Sequence, residues 1–161
     1  VSWVLARVDD RLVHGQVLVA WGARLSPARI WVVDDAVAAS AWEAELFRSS
    51  APGVDVRVCG VAQAAAAFAE EAAAPGAAFL IVRDLATARR LAEAQAMPSV
   101  WNLGGLHYAP GKDKVCDYLY LDAADRADAR WLLQAGASLE VQDVPASRAV
   151  PLVSLDPAVT A

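Results

Sequence analysis

Short apolar runs alternate along this chain with longer stretches in which apolar residues recur at helical spacing. Trp3 to Val8 is a run of strand length, and Val17, Leu18, Ala20, Trp21 and Leu25 follow at the spacing of a helix from about Gly15 to Leu25. Arg29 to Val33 precedes a helix near Ala38 to Ser49, and Val54 to Cys59 precedes an alanine-rich helix near Val61 to Ala73. Ala78 to Val82 leads into Leu85 to Ala96, where Leu85, Ala88, Leu91 and Ala92 share a face. Ser99 to Leu103 opens into a glycine-containing loop, Gly104 to Lys114, before a strand at Asp117 to Leu121. A helix from about Ala124 to Ala135, ended by Gly136, feeds a last strand at Leu139 to Asp143. Strands alternating with helices of about ten residues are βαβ units, so the predicted class is α/β, a mostly parallel sheet with helices on both faces.

Turn residues agree with these boundaries: Pro27, Pro52-Gly53, Pro75-Gly76 and Pro98 fall between predicted elements. No stretch has the composition of a linker, so residues 1–161 are expected to form one domain. After Pro145 the prolines at 151 and 157 interrupt regular structure, and residues from about 146 to 161 are expected to form an extended tail.

Composition narrows the class. With 57% hydrophobic and 20% charged residues the chain is globular in character, and its most apolar stretch, Ala72 to Val82, is broken by Pro75-Gly76 and too short to span a bilayer. Charged residues at Arg7, Asp9 and Asp10 arrive before a signal-like apolar region can develop, which makes the cytoplasm the expected compartment. Cys59 and Cys116 fit neither a zinc nor a redox spacing and are expected to be buried thiols. A net charge of −5 argues against nucleic-acid binding, although Arg7, Arg11, Arg24, Arg29, Lys112 and Lys114 would form a basic patch if the fold gathered them. The six tryptophans are scattered one per element and are expected to serve packing. No glycine-rich nucleotide loop and no metal-ligand cluster is present in the sequence, and no cofactor is expected.

In an open parallel sheet the site lies beyond the carboxyl ends of the strands. The polar residues of this chain gather there: Asp9 to His14, Asp34-Asp35, Arg83-Asp84 and Gly104 to Lys114. His14 sits where the first strand ends and a helix begins, so the N–H groups of Gly15, Gln16 and Val17 lie at a helix N-terminus that attracts anions. A histidine that only satisfies its hydrogen bonds and a nucleophile that takes a phosphoryl group are both compatible with that position. Gly15 admits close approach of a phosphoryl group, and Arg11 offers a planar fork to its equatorial oxygens. Asp9 and Asp10 are assigned to ordering the loop, because carboxylates aimed at a phosphoryl group would repel it. Gln16 is a candidate partner of the imidazole, and His107 is read as a bystander.

Val8-Asp9-Asp10-Arg11-Leu12-Val13-His14-Gly15-Gln16-Val17 resembles the active-site signature of the IIB subunit of the mannose/fructose/sorbose-type, phosphoenolpyruvate-dependent sugar phosphotransferase system. Val32 to Asp35, Asn102-Leu103-Gly104-Gly105 and Leu139 to Pro145 match further segments of that family in collinear order. The resemblance implies an open, mostly parallel twisted sheet of about seven strands with the first strand central, flanked by the fourth and fifth. It also implies a cytoplasmic phosphocarrier, working at the membrane through its permease, that takes a phosphoryl group from a IIA protein and passes it to a sugar held by the IIC/IID permease. The residue matching His14 carries the group on Nδ1, and that matching Arg11 steadies it. Leu103 and Leu106 stand where the family pattern has valine and methionine. A regulatory phosphoprotein without sugar transfer is the alternative, and a receiver-like phosphoaspartate domain is disfavoured because the third strand ends Cys59-Gly60, without an acceptor Asp. The sugar and the oligomeric state are not legible.

Overall fold

The computed structural model describes residues 2–160. In chain order the elements are β1 (Trp3–Asp9), a π-helical turn (Val17–Trp21) continued by α1 (Gly22–Leu25), β2 (Arg29–Val33), α2 (Asp35–Ala39), α3 (Ala41–Arg48), β3 (Asp55–Cys59), α4 (Val61–Ala73), β4 (Ala78–Val82), α5 (Leu85–Glu93), β5 (Val100–Gly105), β6 (Asp113–Cys116), β7 (Leu119–Leu121), α6 (Ala123–Gln134), β8 (Ser138–Val141), β9 (Val150–Pro151), α7 (Leu152–Leu155) and a 3₁₀ turn (Pro157–Thr160). Seven strands form one sheet in the order β3-β2-β4-β1-β5-β8-β9. All neighbours run parallel except β9, which is antiparallel to β8. The first strand is central between β4 and β5, as expected.

Strand periodicity divides the core in two. Ala6 and Val8 of β1, Leu80 and Val82 of β4, and Trp101 and Leu103 of β5 face a layer with buried residues from α4, α5 and α6. Leu5 of β1, Ile30 and Val32 of β2, and Phe79 and Ile81 of β4 face Val17, Trp21 and Val37 on the other side. Because it is covered on both faces, β4 is a continuous apolar run, Ala78-Phe79-Leu80-Ile81-Val82. Helices start directly after strands on aspartate caps: Asp34, Asp84 and Asp122 accept from the backbone N–H groups of Val37, Thr87 and Asp125.

Three segments depart from the sequence reading. The helix expected near residues 38–49 is two, α2 and α3, separated at Ser40, whose backbone is extended. The strand expected at 117–121 does not join the main sheet: β7 pairs with β6 in a separate hairpin, tied to the end of β5 by a bridge between Leu106 and Leu119. The polar Asp113-Lys114 gave β6 no apolar signature. The stretch after residue 145 is not an extended tail. It returns as edge strand β9 and then α7, burying Leu152 and Val159 completely and joining Asp156 to Arg126 at 2.7 Å.

Candidate functional site

β1 delivers the site loop. Asp9 is its last residue, and the chain turns at once, with the Leu12 N–H donating to the Asp9 carbonyl at 2.9 Å. Leu12 takes a left-handed backbone, φ 57°, a conformation that costs a branched side chain free energy and persists only where packing enforces it. Here Leu12 is fully buried and Val13 nearly so. These two anchors leave the flanking Arg11 and His14 at the surface, with side chains 36% and 17% exposed.

Asp9 is the hub of the loop. Its carboxylate has no exposure, and its Oδ1 accepts from the Arg11 backbone N–H and Nε, both at 3.1 Å. Oδ2 accepts from Arg11 Nη2 at 3.1 Å and Arg7 Nη2 at 3.2 Å, and lies 3.1 Å from His14 Nε2. Burial raises the Asp9 pKa, but the bonds to His14 and Arg11 and the charge of Arg7 outweigh it and hold the group well below the usual carboxylate range. An ionised carboxylate only accepts, so its contact with the neutral ring requires the proton on Nε2 and leaves the lone pair on Nδ1.

Behind Asp9 lies Arg7, completely buried. Its guanidinium donates to Asp9, to Asn102 Oδ1 and to the carbonyls of Gln142 and Asp143 at 3.0 and 2.9 Å, and it packs over the Trp21 ring. Burial pulls its pKa below the ordinary arginine value, against the pull of Asp9. Gly104 makes room for it: a Cβ there would stand 1.8 Å from Arg7 Cζ. The Asn102 to Gly105 segment expected as strand and loop is thus strand through Gly105, with its glycines serving the side chains of β1 and its loop.

Asp10 faces the other way. It accepts from the His107 backbone N–H at 2.8 Å and faces His107 Nδ1 at 2.6 Å, while its own N–H donates to Gly105 and its carbonyl accepts from Arg83 at 3.3 Å. The loops after β4 and β5 therefore do flank the His14 loop. Asp34 and Asp35 stay apart from this chemistry: Asp34 caps α2 and accepts from Arg83, and Asp35 accepts from the Val61 N–H and Arg90.

The Leu18 N–H donates to the His14 carbonyl, so the N–H groups of Gly15, Gln16 and Val17 precede the first helical donor. A Cβ on Gly15 would meet nothing within 4 Å. The turn that follows is π-helical, a form that recurs at functional sites. Gln16 meets Arg11 Nη2 at 3.4 Å and does not bond the imidazole. The basic patch does not assemble: Arg7 is buried, while Arg29, Lys112 and Lys114 pair with Glu71, Asp125 and Asp117. Sequence reasoning missed the role of Arg7 and the His107–Asp10 contact, both of which depend on pairings between residues 95 to 136 positions apart. Among the described residues no group of three or more His, Cys, Asp or Glu side chains could hold a metal ion, and no helix is long and apolar enough to cross a membrane.

Residues 3–157 match the family model of the sorbose subfamily IIB component of the phosphotransferase system. The chain belongs to this family. It is 33% identical over 144 residues to the N-acetylgalactosamine-specific phosphotransferase enzyme IIB component 1 of Escherichia coli K12, covering 88% of this chain and 90% of that one. It is 32% identical over 152 residues to the mannose-specific EIIAB component of the same organism, covering 94% of this chain but 47% of that longer protein. The IIBSor domain of the sorbose permease from Klebsiella pneumoniae superposes with a TM-score of 0.89 at 26% identity, over 100% of this chain and 99% of that one. As a IIB component the chain is a phosphotransferase that takes its phosphoryl group from IIA and transfers it to sugar. These relatives lend no support to the regulatory alternative.

Proposed function

We propose that His14 is the phosphoryl carrier of this IIB component and that Nδ1 is the attacking atom. The carrying observation is the contact of Nε2 with the buried Asp9 carboxylate, which fixes the tautomer and leaves the Nδ1 lone pair without a hydrogen-bond partner among the described residues. In the uptake step a bond forms from Nδ1 to phosphorus as the bond from phosphorus to the donor histidine of a IIA protein breaks. The electron pair of that bond returns to the donor ring, and the His14 proton stays on Nε2 toward Asp9. The charge on the phosphoryl oxygens is met by the open N–H groups of Gly15, Gln16 and Val17 and by Arg11, whose Nη1 has no hydrogen-bond partner among the described residues. Asp9 and Asp10 are scaffold, holding Arg11, His14 and the loop after β5.

The onward step is transfer to a sugar held by a IIC/IID permease, with the protein docked at the cytoplasmic face of the membrane. A IIA partner is supported by the mannose-specific EIIAB relative, which carries A and B in one chain. Incubation with a radiolabelled phospho-IIA donor tests the reading. We expect no label on His14→Ala, uptake slowed on the order of 100-fold in Arg11→Ala, and acid-labile, base-stable label on the native protein that discharges to sugar with permease membranes. Label that survives His14→Ala but is lost in Asp34→Ala would overturn it.

A further inference from the structure

We propose that Arg7 is a positioning residue for phosphoryl transfer: it is the permanent counter-charge of Asp9, and it thereby frees Arg11 to leave Asp9 for the arriving phosphoryl group. The inference rests on His14 as the carrier and adds to it a buried group that the proposed step does not touch.

Two arginines share one carboxylate, and they are built differently. Arg7 has no exposure, is held by four separate acceptors, and lies over Trp21 in a slot that only a glycine at 104 leaves open. Moving it would strand the Gln142 carbonyl and Asn102 Oδ1. Arg11 is more than a third exposed, and apart from a long 3.4 Å contact with Gln16 the bonded nitrogens of its fork, Nε and Nη2, are spent on Asp9 alone. A phosphoryl group on His14 Nδ1 competes for that fork. If Arg11 were the sole cation, its departure would leave a fully buried carboxylate without a counter-charge, which would hold Arg11 in place. Arg7 removes that obstacle, because Asp9 keeps a buried cation at 3.2 Å and the His14 Nε2–H after Arg11 has turned.

Asp9 also needs a fixed rotamer, since both its oxygens are in use and His14 is aimed by one of them. Arg7 supplies it from behind through Nη2 and Nε, both on Oδ2. Lysine in that slot would keep the charge and lose the fork.

The test follows arginine side-chain ¹⁵N resonances of the native protein before and after charging with phospho-IIA, with ³¹P detection of phosphohistidine in the same sample. We expect the Arg11 Nε–H signal to shift and exchange faster while the Arg7 signal stays protected and unmoved. An Arg11 signal that does not move, or an Arg7 signal that moves with it, overturns the proposal, whereas absence of the phosphohistidine signal itself overturns the carrier reading instead. In rapid-quench uptake, Arg7→Lys is expected to charge at least 10-fold more slowly at saturating phospho-IIA, with half-saturation by the donor within twofold of native. A folded Arg7→Lys protein that charges at the native rate overturns the proposal; if that variant does not fold, the native resonances decide.

Discussion

At the scale of single residues, the site is a buried acid that binds the side chains of Arg7, Arg11 and His14 at once. Asp9 has a native pKa below its unfolded value, so its contribution to stability is complete above the ordinary carboxylate range and is lost as pH falls through the native pKa. Replacing it by asparagine leaves the Arg7 charge buried without a counter-charge, which costs about 3–5 kcal/mol at neutral pH. Urea unfolding of native and Asp9→Asn proteins should therefore show a gap that is constant from pH 7 to about 5 and narrows below about 4, where the native protein begins to lose its advantage. A gap unchanged down to pH 2 would mean that the carboxylate is not held by its partners. The motif that betrays this hub is compact, since Asp9, Arg11 and His14 lie within six residues and their types already name the chemistry. Arg7 gave no such signal. Its partners Asn102, Gln142 and Asp143 come from β5 and the loop after β8, and only the sheet order brings them to it.

Whole elements were legible where burial enforces a period. α4 and β4 match their expected bounds, the first because alanine spacing has no competing reading and the second because both its faces are covered. β6 was invisible because its first two residues, Asp113 and Lys114, are exposed and polar and leave too short an apolar run, and the break between α2 and α3 because Ser40 interrupts a run otherwise of helical pattern. The caps carry a quantitative expectation at this scale. Asp122 forms a reciprocal box with Asp125 at the start of α6, and Asp125 also takes Lys112 at 2.8 Å. Asp122→Ala should cost about 1 kcal/mol, or a melting point lower by about 2–4 °C for a chain of this size, as read by calorimetry. Phosphoryl uptake at 25 °C should be unchanged, since none of these bonds reaches the His14 loop.

For the molecule as a whole, the segment after residue 145 decides how far the site's support extends. β9 covers the outer edge of β8, with Val141 against Val150 and Glu140 against Pro151, and β8 runs directly into the Gln142 and Asp143 carbonyls that hold Arg7. The prolines that suggested an extended tail are compatible with this arrangement, because an edge strand tolerates proline where no N–H is needed. Beyond it, Leu152 and Val159 are fully buried against the α6 side of the core, so this segment belongs to the folded body. Leu152→Ala should then cost about 2–5 kcal/mol, the price of a core truncation, while Trp42→Ala, at a position 70% exposed, should stay within about 0.5 kcal/mol of native. Both are measured by equilibrium unfolding in urea followed by far-ultraviolet dichroism. A Leu152→Ala loss below about 1 kcal/mol would show the segment to be docked outside the cooperative unit. A full loss with a single transition would show that the edge of β8, and with it the floor beneath Arg7 and Asp9, unfolds only when the whole sheet does.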